Sequence, residues 1–230
     1  MANHLTPFVE FMGLPGCGKS FFSHKVAESL RKEGVKVSEP SWELDHLYGK
    51  YARVLKKELM ASWFSLFNKG KAQRLDYLIK KCGYTGLDYK KLKLNLLYKA
   101  YILTKKQDTV VFFDEGLSQM AISLAMGGEL SAKSIYDEIH QILSIKGILT
   151  CVKIDCSIGD AMVNMDKRET HDSRVEKMTS EEDKLRFMRK FEEECNSIGV
   201  SNLVSIPYSD DTDGIVQAIK DRVKAMLRSK

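Results

Sequence analysis

Gly13-Leu14-Pro15-Gly16-Cys17-Gly18-Lys19-Ser20 fits the pattern G-x-x-x-x-G-K-[ST] at every fixed position. The chemistry behind that pattern is phosphate binding. Glycines let the backbone wrap close to an anion with its N–H groups turned inward. The helix that follows presents its positive N-terminal end to the same charge. The lysine reaches the β- and γ-phosphates of a nucleotide, and the serine hydroxyl ligates magnesium. The flanks suit this reading. Residues 7–12, PFVEFM, read as a short buried strand running into the glycine. Residues 19–33 read as a helix with Phe22, Val26 and Leu30 on one face. The stretch therefore predicts a P-loop that binds a nucleoside triphosphate with Mg2+, in which the residues from Gly13 to Phe21 surround the phosphates. Cys17 stands at a free position and reads as a small filler.

Further along, Val35–Ser38 follows Gly34 as a second short strand. Residues 44–107 are rich in Leu, Lys and Tyr at helical spacing. They predict three or more helices, broken near 68–70 and 83–86 by glycines. TVVFFDEG (109–116) is an uninterrupted apolar run, the mark of a strand buried on both faces. ILTCVKID (148–155) and NLVSIP (202–207) are further strands. Residues 212–228 form a last helix with Ile215, Ile219, Val223 and Met226 on one face. Strands alternating with helices predict an α/β fold with a parallel sheet and right-handed crossovers. No repeat or linker divides residues 1–230, so 44–107 reads as a helical insertion within one domain. At the end of the third strand, Asp114 is placed to hold the metal together with Ser20. The other reading is an acid capping the helix that begins near Leu117. Glu115 follows it and shares both readings.

Composition narrows the function. The 230 residues are 43% hydrophobic and 29% charged, ordinary for a folded globular chain. The net charge of +5 suits a small anionic substrate and leaves nucleic acid open as a partner. No run approaches the eighteen apolar residues of a membrane span, and MANHLTPFVEFMG carries no basic, then apolar, leader. The five cysteines are odd in number and form no C-x-x-C pair, which predicts free thiols in a reducing cytoplasm. The histidines lie far apart, without H-E-x-x-H. No N-K-x-D element reads guanine, and no LSGGQ string marks a transporter ATPase. Asp211-Thr212-Asp213-Gly214 spells D-x-x-G but lies beyond the last strand, away from where a GTPase switch belongs.

The chain resembles the thymidylate kinase and deoxynucleoside kinase branch of the P-loop kinases. GLPGCGKS opens it. The second strand runs VKVSEPSW, with Glu39-Pro40 followed closely by Trp42. The third strand ends in Asp114. The segment from Lys153 to Cys156 leads into the Arg168–Arg174 stretch and a charged helix, the order of a strand followed by an arginine-bearing LID. The resemblance implies the P-loop NTPase fold, an acceptor-side helical insertion and a LID over about 166–178. It implies transfer of the γ-phosphoryl group of ATP to a nucleoside or nucleotide. Lys19 and Asp114 would serve the phosphates and metal, Glu39 would accept the acceptor's proton, and Arg168 and Arg174 would neutralise developing charge. Read by themselves, Glu39 is equally a surface acid before a proline, and KRETHDSRVEK a solvated run of mixed charge. Trp42, Tyr48 and Tyr51 can stack on an acceptor ring or fill the core. One departure stands out: the family carries arginine after the strand-end acid, where this chain has Glu115. A sugar or other hydroxyl acceptor therefore stays open. So do a nucleotide-binding regulator or assembly factor and a homodimeric state.

Overall fold

The structure, a computed structural model, describes residues 6–105, 108–145, 147–167, 175–209 and 211–228. β1 (Pro7–Met12) leads through the glycine loop into α1 (Lys19–Lys32). Then come β2 (Val37–Ser38), α2 (Pro40–Leu47), α3 (Lys50–Phe67), α4 (Lys69–Lys81) and α5 (Gly86–Thr104). β3 (Val110–Phe113), α6 (Leu117–Ala125), α7 (Ala132–Leu143), β4 (Ile148–Asp155) and α8 (Ile158–Asp166) follow. The chain closes with α9 (Glu181–Ser197), β5 (Leu203–Pro207) and α10 (Thr212–Arg228).

The five strands form one sheet in the order β2-β3-β1-β4-β5, and all four pairings are parallel. β1 lies at the centre, with Phe8 beside Val111 on one side and Leu149 on the other. All six residues of β1 and all four of β3 are buried, as their apolar runs require between two helical layers. Because every strand points the same way, the loops after β1, β3, β4 and β5 gather at one edge. From β1 the chain proceeds to β2 and β3 on one side, and from β4 to β5 on the other. Ligands of open α/β sheets bind at this kind of divergence, outside the carboxyl ends of the strands. The α/β P-loop fold expected from the sequence is the fold observed.

Two boundaries differ from the sequence reading. Only Val37 and Ser38 of the expected strand 35–38 pair with β3. The Val35 amide is spent on the end of α1: it donates to Leu30 O, while Gly34, at φ 83°, donates to Arg31 O. This is the paired-bond motif that closes helices on a glycine, and it consumes the donor a longer strand would need. Helical structure also begins before residue 44, at Pro40, whose fixed φ and missing N–H suit the first helical position. Glu39 thereby becomes the residue flanking α2, and the Glu43 carboxylate accepts its amide at 2.9 Å. The helix breaks expected at 68–70 and 83–86 occur where α3, α4 and α5 meet. No helix among the described residues is long and apolar enough to cross a membrane. All five cysteines are free and buried.

Candidate functional site

The loop after β1 turns back on itself at Gly16, where φ is 91°. A side chain there would overlap the carbonyl of Ala161 in α8, so only glycine lets loop and helix approach this closely. Lys19, the first residue of α1, is only 6% exposed. Its Nζ donates to Gly13 O at 3.1 Å and Leu14 O at 2.9 Å, with Cys17 Sγ at 4.0 Å. These partners are neutral, and among the described residues no carboxylate lies within ion-pair distance of this ammonium. A buried cation without a counter-charge is an anion site in waiting. Cys17 is fully buried, consistent with its reading as filler.

Ser20, one residue on, donates from Oγ to Asp114 Oδ2 at 2.9 Å. The other oxygen, Oδ1, accepts the Glu115 amide at 3.0 Å. The helix α6 starts only at Leu117, with Gly116 in the flanking position, so Asp114 does not cap it. A hydroxyl and a carboxylate side by side at the loop's mouth fit a magnesium ion, a hard cation that takes oxygen ligands and keeps waters or phosphates in its other positions. Among the described residues no cluster of three or more His, Cys, Asp or Glu could cage a metal, so such an ion would complete its shell with waters or phosphate oxygens.

Glu39 is buried, 2% exposed, and not the surface acid its sequence context allowed. Arg31 Nη1 donates to its Oε2 at 2.6 Å, and His24 Nδ1 lies 3.2 Å from Oε2 and 3.3 Å from Oε1. Burial raises the Glu39 carboxyl above the usual carboxylate range, while Arg31 and His24 pull it back. The carboxylate borders a small recess together with Ser20, Ser23, Trp42, Phe112 and Asp114. Sequence positions 20, 39 and 114 thus meet in one place.

The cleft beside the loop has a volume of about 760 Å³. Lys19, Ser20, Phe21, Glu115 and Gln119 border it, and at another part Asn164, Val175, Phe187 and Tyr208. Asn164 Nδ2 donates to the Tyr208 hydroxyl at 3.0 Å. Neither Tyr48 nor Tyr51 is among the residues bordering this cleft. Tyr48 is covered by the Lys56 ammonium, 3.4 Å from its ring centre, and Tyr51 is exposed on α3. The ring of Trp42 is stacked on His24 at 4.1 Å and on His46 at 4.2 Å. Both of its faces are occupied, which removes it as a platform for an acceptor ring. Arg168 and Arg174 lie outside the described residues. Of the expected LID, Val175 is buried and borders the cleft.

Two residues escaped the sequence reading. Gln119 of α6 clamps the start of the loop: its Oε1 accepts the Gly13 amide at 3.2 Å, and its Nε2 donates to Gly13 O at 3.3 Å. Glu10 of β1 accepts the Leu117 amide at 2.5 Å and the Ser118 amide at 3.2 Å, both on Oε2. It thereby satisfies two orphan donors at the start of α6. Burial pushes its carboxyl up to about 7, against the pull of those amides and Lys99. A signal for both existed, since each is a polar residue inside an apolar element, PFVEFM and LSQMAISLA.

No protein-family model matches the chain, and no curated protein sequence does. Solved structures do match. A gluconokinase from Sinorhizobium meliloti superposes with a TM-score of 0.51 at 15% identity, covering 98% of this chain and 95% of that one. A deoxyadenosine kinase from M. mycoides, with dCMP and dCDP bound, reaches a TM-score of 0.49 at 16% identity over 95% of this chain and 99% of that one. At such identities the likeness is one of fold, and the gluconokinase superposition places this chain in the same α/β architecture, nearly end to end.

Proposed function

We propose that this protein is an ATP-dependent kinase that transfers the γ-phosphoryl group to a hydroxyl of a small molecule, a nucleoside in the first instance. The observation that carries this reading is the meeting of Glu39 with Ser20 and Asp114 around one recess beside the Lys19 loop. A nucleotide-binding regulator would need the loop and the Ser20–Asp114 pair, but not a buried carboxylate facing them.

In the reaction the bond between the γ-phosphorus and the β–γ bridging oxygen breaks. A bond forms from the acceptor oxygen to the γ-phosphorus, and ADP leaves. Charge spreads over the transferred oxygens, so positioning and neutralisation carry most of the catalysis. The backbone amides of Gly16, Gly18 and Lys19 and the Lys19 ammonium bind the phosphates. Magnesium, held by Ser20 and Asp114, supplies further positive charge when bound. Glu39 takes the proton of the acceptor hydroxyl, with its raised carboxyl nearer the operating pH than a surface glutamate. Arg31 fixes its orientation. Arg168 and Arg174 are the residues that the family resemblance assigns to neutralising charge during transfer.

The direct test is incubation with γ-labelled ATP and separate panels of nucleosides, nucleoside monophosphates and sugars. A labelled product other than phosphate supports a kinase, and hydrolysis alone with every panel sinks it. Glu39→Gln should lower the single-turnover rate by about 10²- to 10⁴-fold, the range of a general base, with little change in acceptor affinity. An unchanged rate would return Glu39 to a structural role and favour a phosphate acceptor, whose oxygen is already ionised.

A further inference from the structure

Helix α3 carries an apolar row on the face turned away from the rest of the chain. Tyr51, Leu55, Leu59, Trp63 and Phe67 recur every four residues and are 90%, 56%, 62%, 58% and 64% exposed. Leu66, at 72%, widens the row. The opposite face is the one that folding uses: Ala61 and Phe64 are buried, and α3 packs against α5. Single exposed apolar residues need no explanation, but a continuous row along an 18-residue helix does.

We propose that this row is the interface of a homodimer, formed with the same helix of a second copy in antiparallel orientation. Three features point to a second copy. The first is area. With aromatic side chains of about 150–250 Å² each, the exposed share of the row is on the order of 800 Å², the amount that each partner brings to an interface of standard size. The second is symmetry. Leu59 is the midpoint of the row, so a two-fold axis there sets Tyr51 against Phe67 of the second copy and Leu55 against Trp63 of the second copy. Aromatic meets aromatic at both ends, Leu59 meets its own copy on the axis, and every other contact occurs twice, as an isologous interface demands. The third is charge. Lys56 and Lys57 lie in the first half of α3, and no charged residue follows Glu58 before the helix ends at Phe67. Antiparallel pairing sets each basic half against the uncharged half of the other copy, whereas parallel pairing would bring like charges together.

A groove of about 920 Å³ runs beside the row between α3 and α5, floored by Ala61, Leu66, Leu94 and Leu97. This assignment does not depend on the proposed kinase activity, because the row is distinct from the residues placed at the phosphate loop.

Sedimentation velocity on the full chain over a range of concentrations tests it. Wild type should sediment at twice the mass of the chain. Leu59→Glu should weaken the dimer by about 100-fold or more, because the axis would bring two carboxylates together in an apolar contact. Leu59→Lys should do the same, and an equimolar mixture of the two variants should recover the dimer. Position 59 is exposed in the single chain, so both variants should keep the wild-type circular dichroism. Should either lose it, Tyr51→Asp, at the most exposed position, takes its place for the loss of the dimer. A monomeric wild type at every concentration overturns the proposal, as does a dimer that both Leu59 variants leave intact. A monomer that floats with anionic vesicles would assign the row to a lipid surface instead. Failure of the mixed variants to pair would overturn the antiparallel arrangement centred on Leu59.

Discussion

Glu10→Gln should remove a pH dependence from the stability of this protein. Glu10 is wholly buried in β1, and burial moves its carboxyl from an ordinary 4.5 to about 7. A carboxyl raised on folding favours the protonated native state. Below pH 4.5 both states hold the proton. As pH rises above 4.5 the unfolded chain releases it while the native state does not, and the native state loses stability. Above about 7 both are ionised, and the loss stops growing. The gap corresponds to about 3 kcal/mol at about 1.4 kcal/mol per pH unit. Glutamine keeps a carbonyl oxygen for the Leu117 and Ser118 amides but cannot ionise. Urea unfolding of both proteins from pH 4 to pH 8.5 supplies the measurement. The stability of wild type minus that of the variant should fall by about 3 kcal/mol across the window and level off above it, with equal denaturant slopes. Two parallel curves would refute the reasoning: Glu10 would then titrate alike in both states, and burial would not control it.

Lys19→Ala should abolish phosphoryl transfer while the thermal midpoint stays near that of wild type, since the ammonium touches only loop carbonyls and a thiol; normal turnover in a folded variant would remove the kinase reading. Gln119→Leu breaks both bonds to Gly13 and should weaken nucleotide binding by about tenfold, the cost of one to two neutral hydrogen bonds, which calorimetric titration would show. Glu115→Arg should raise kcat/KM for a phosphorylated acceptor relative to the same acceptor without phosphate by about tenfold or more, through a charge-assisted bond in place of repulsion. An unchanged ratio would mean that position 115 does not meet the acceptor.

The sheet was legible from its inner strands β1 and β3, which are buried on both faces. A run such as VVFF needs no knowledge of its neighbours to be recognised, and the glycine spacing of 13–18 follows from phosphate geometry alone. What local pattern cannot express is a contact between distant positions. Read by itself, Glu39 is as much a surface acid as a site residue, because its immediate neighbours, serine and proline, are turn formers. Its burial depends on Arg31 and His24 of the preceding helix, which close over it only once α1 and β2 are side by side. Trp42 fails as a platform for the same reason, since His24 reaches it from α1 and His46 from one turn along α2. The shortened β2 is a contest for one amide, that of Val35, which the closing turn of α1 wins.

The same kind of long-range dependence links Glu10 to the phosphate loop and gives meaning to the sequence Asp114-Glu115-Gly116. A side chain at 116 would overlap the Glu10 carboxylate, so the acid in β1 demands glycine there. With glycine in place, Glu10 holds the first amides of α6, and that anchorage sets Gln119 where it clamps Gly13. One buried acid thus helps to fix the start of the loop, together with Lys19. Position 114 is committed to Ser20, and position 116 to Glu10. Position 115 is bound by neither constraint: its side chain is exposed and borders the cleft. The glutamate found where the kinases that the sequence resembles carry arginine is therefore not forced by the scaffold. It adds negative charge to the cleft that an anionic acceptor would have to approach, and on our reading it turns the site toward a neutral hydroxyl.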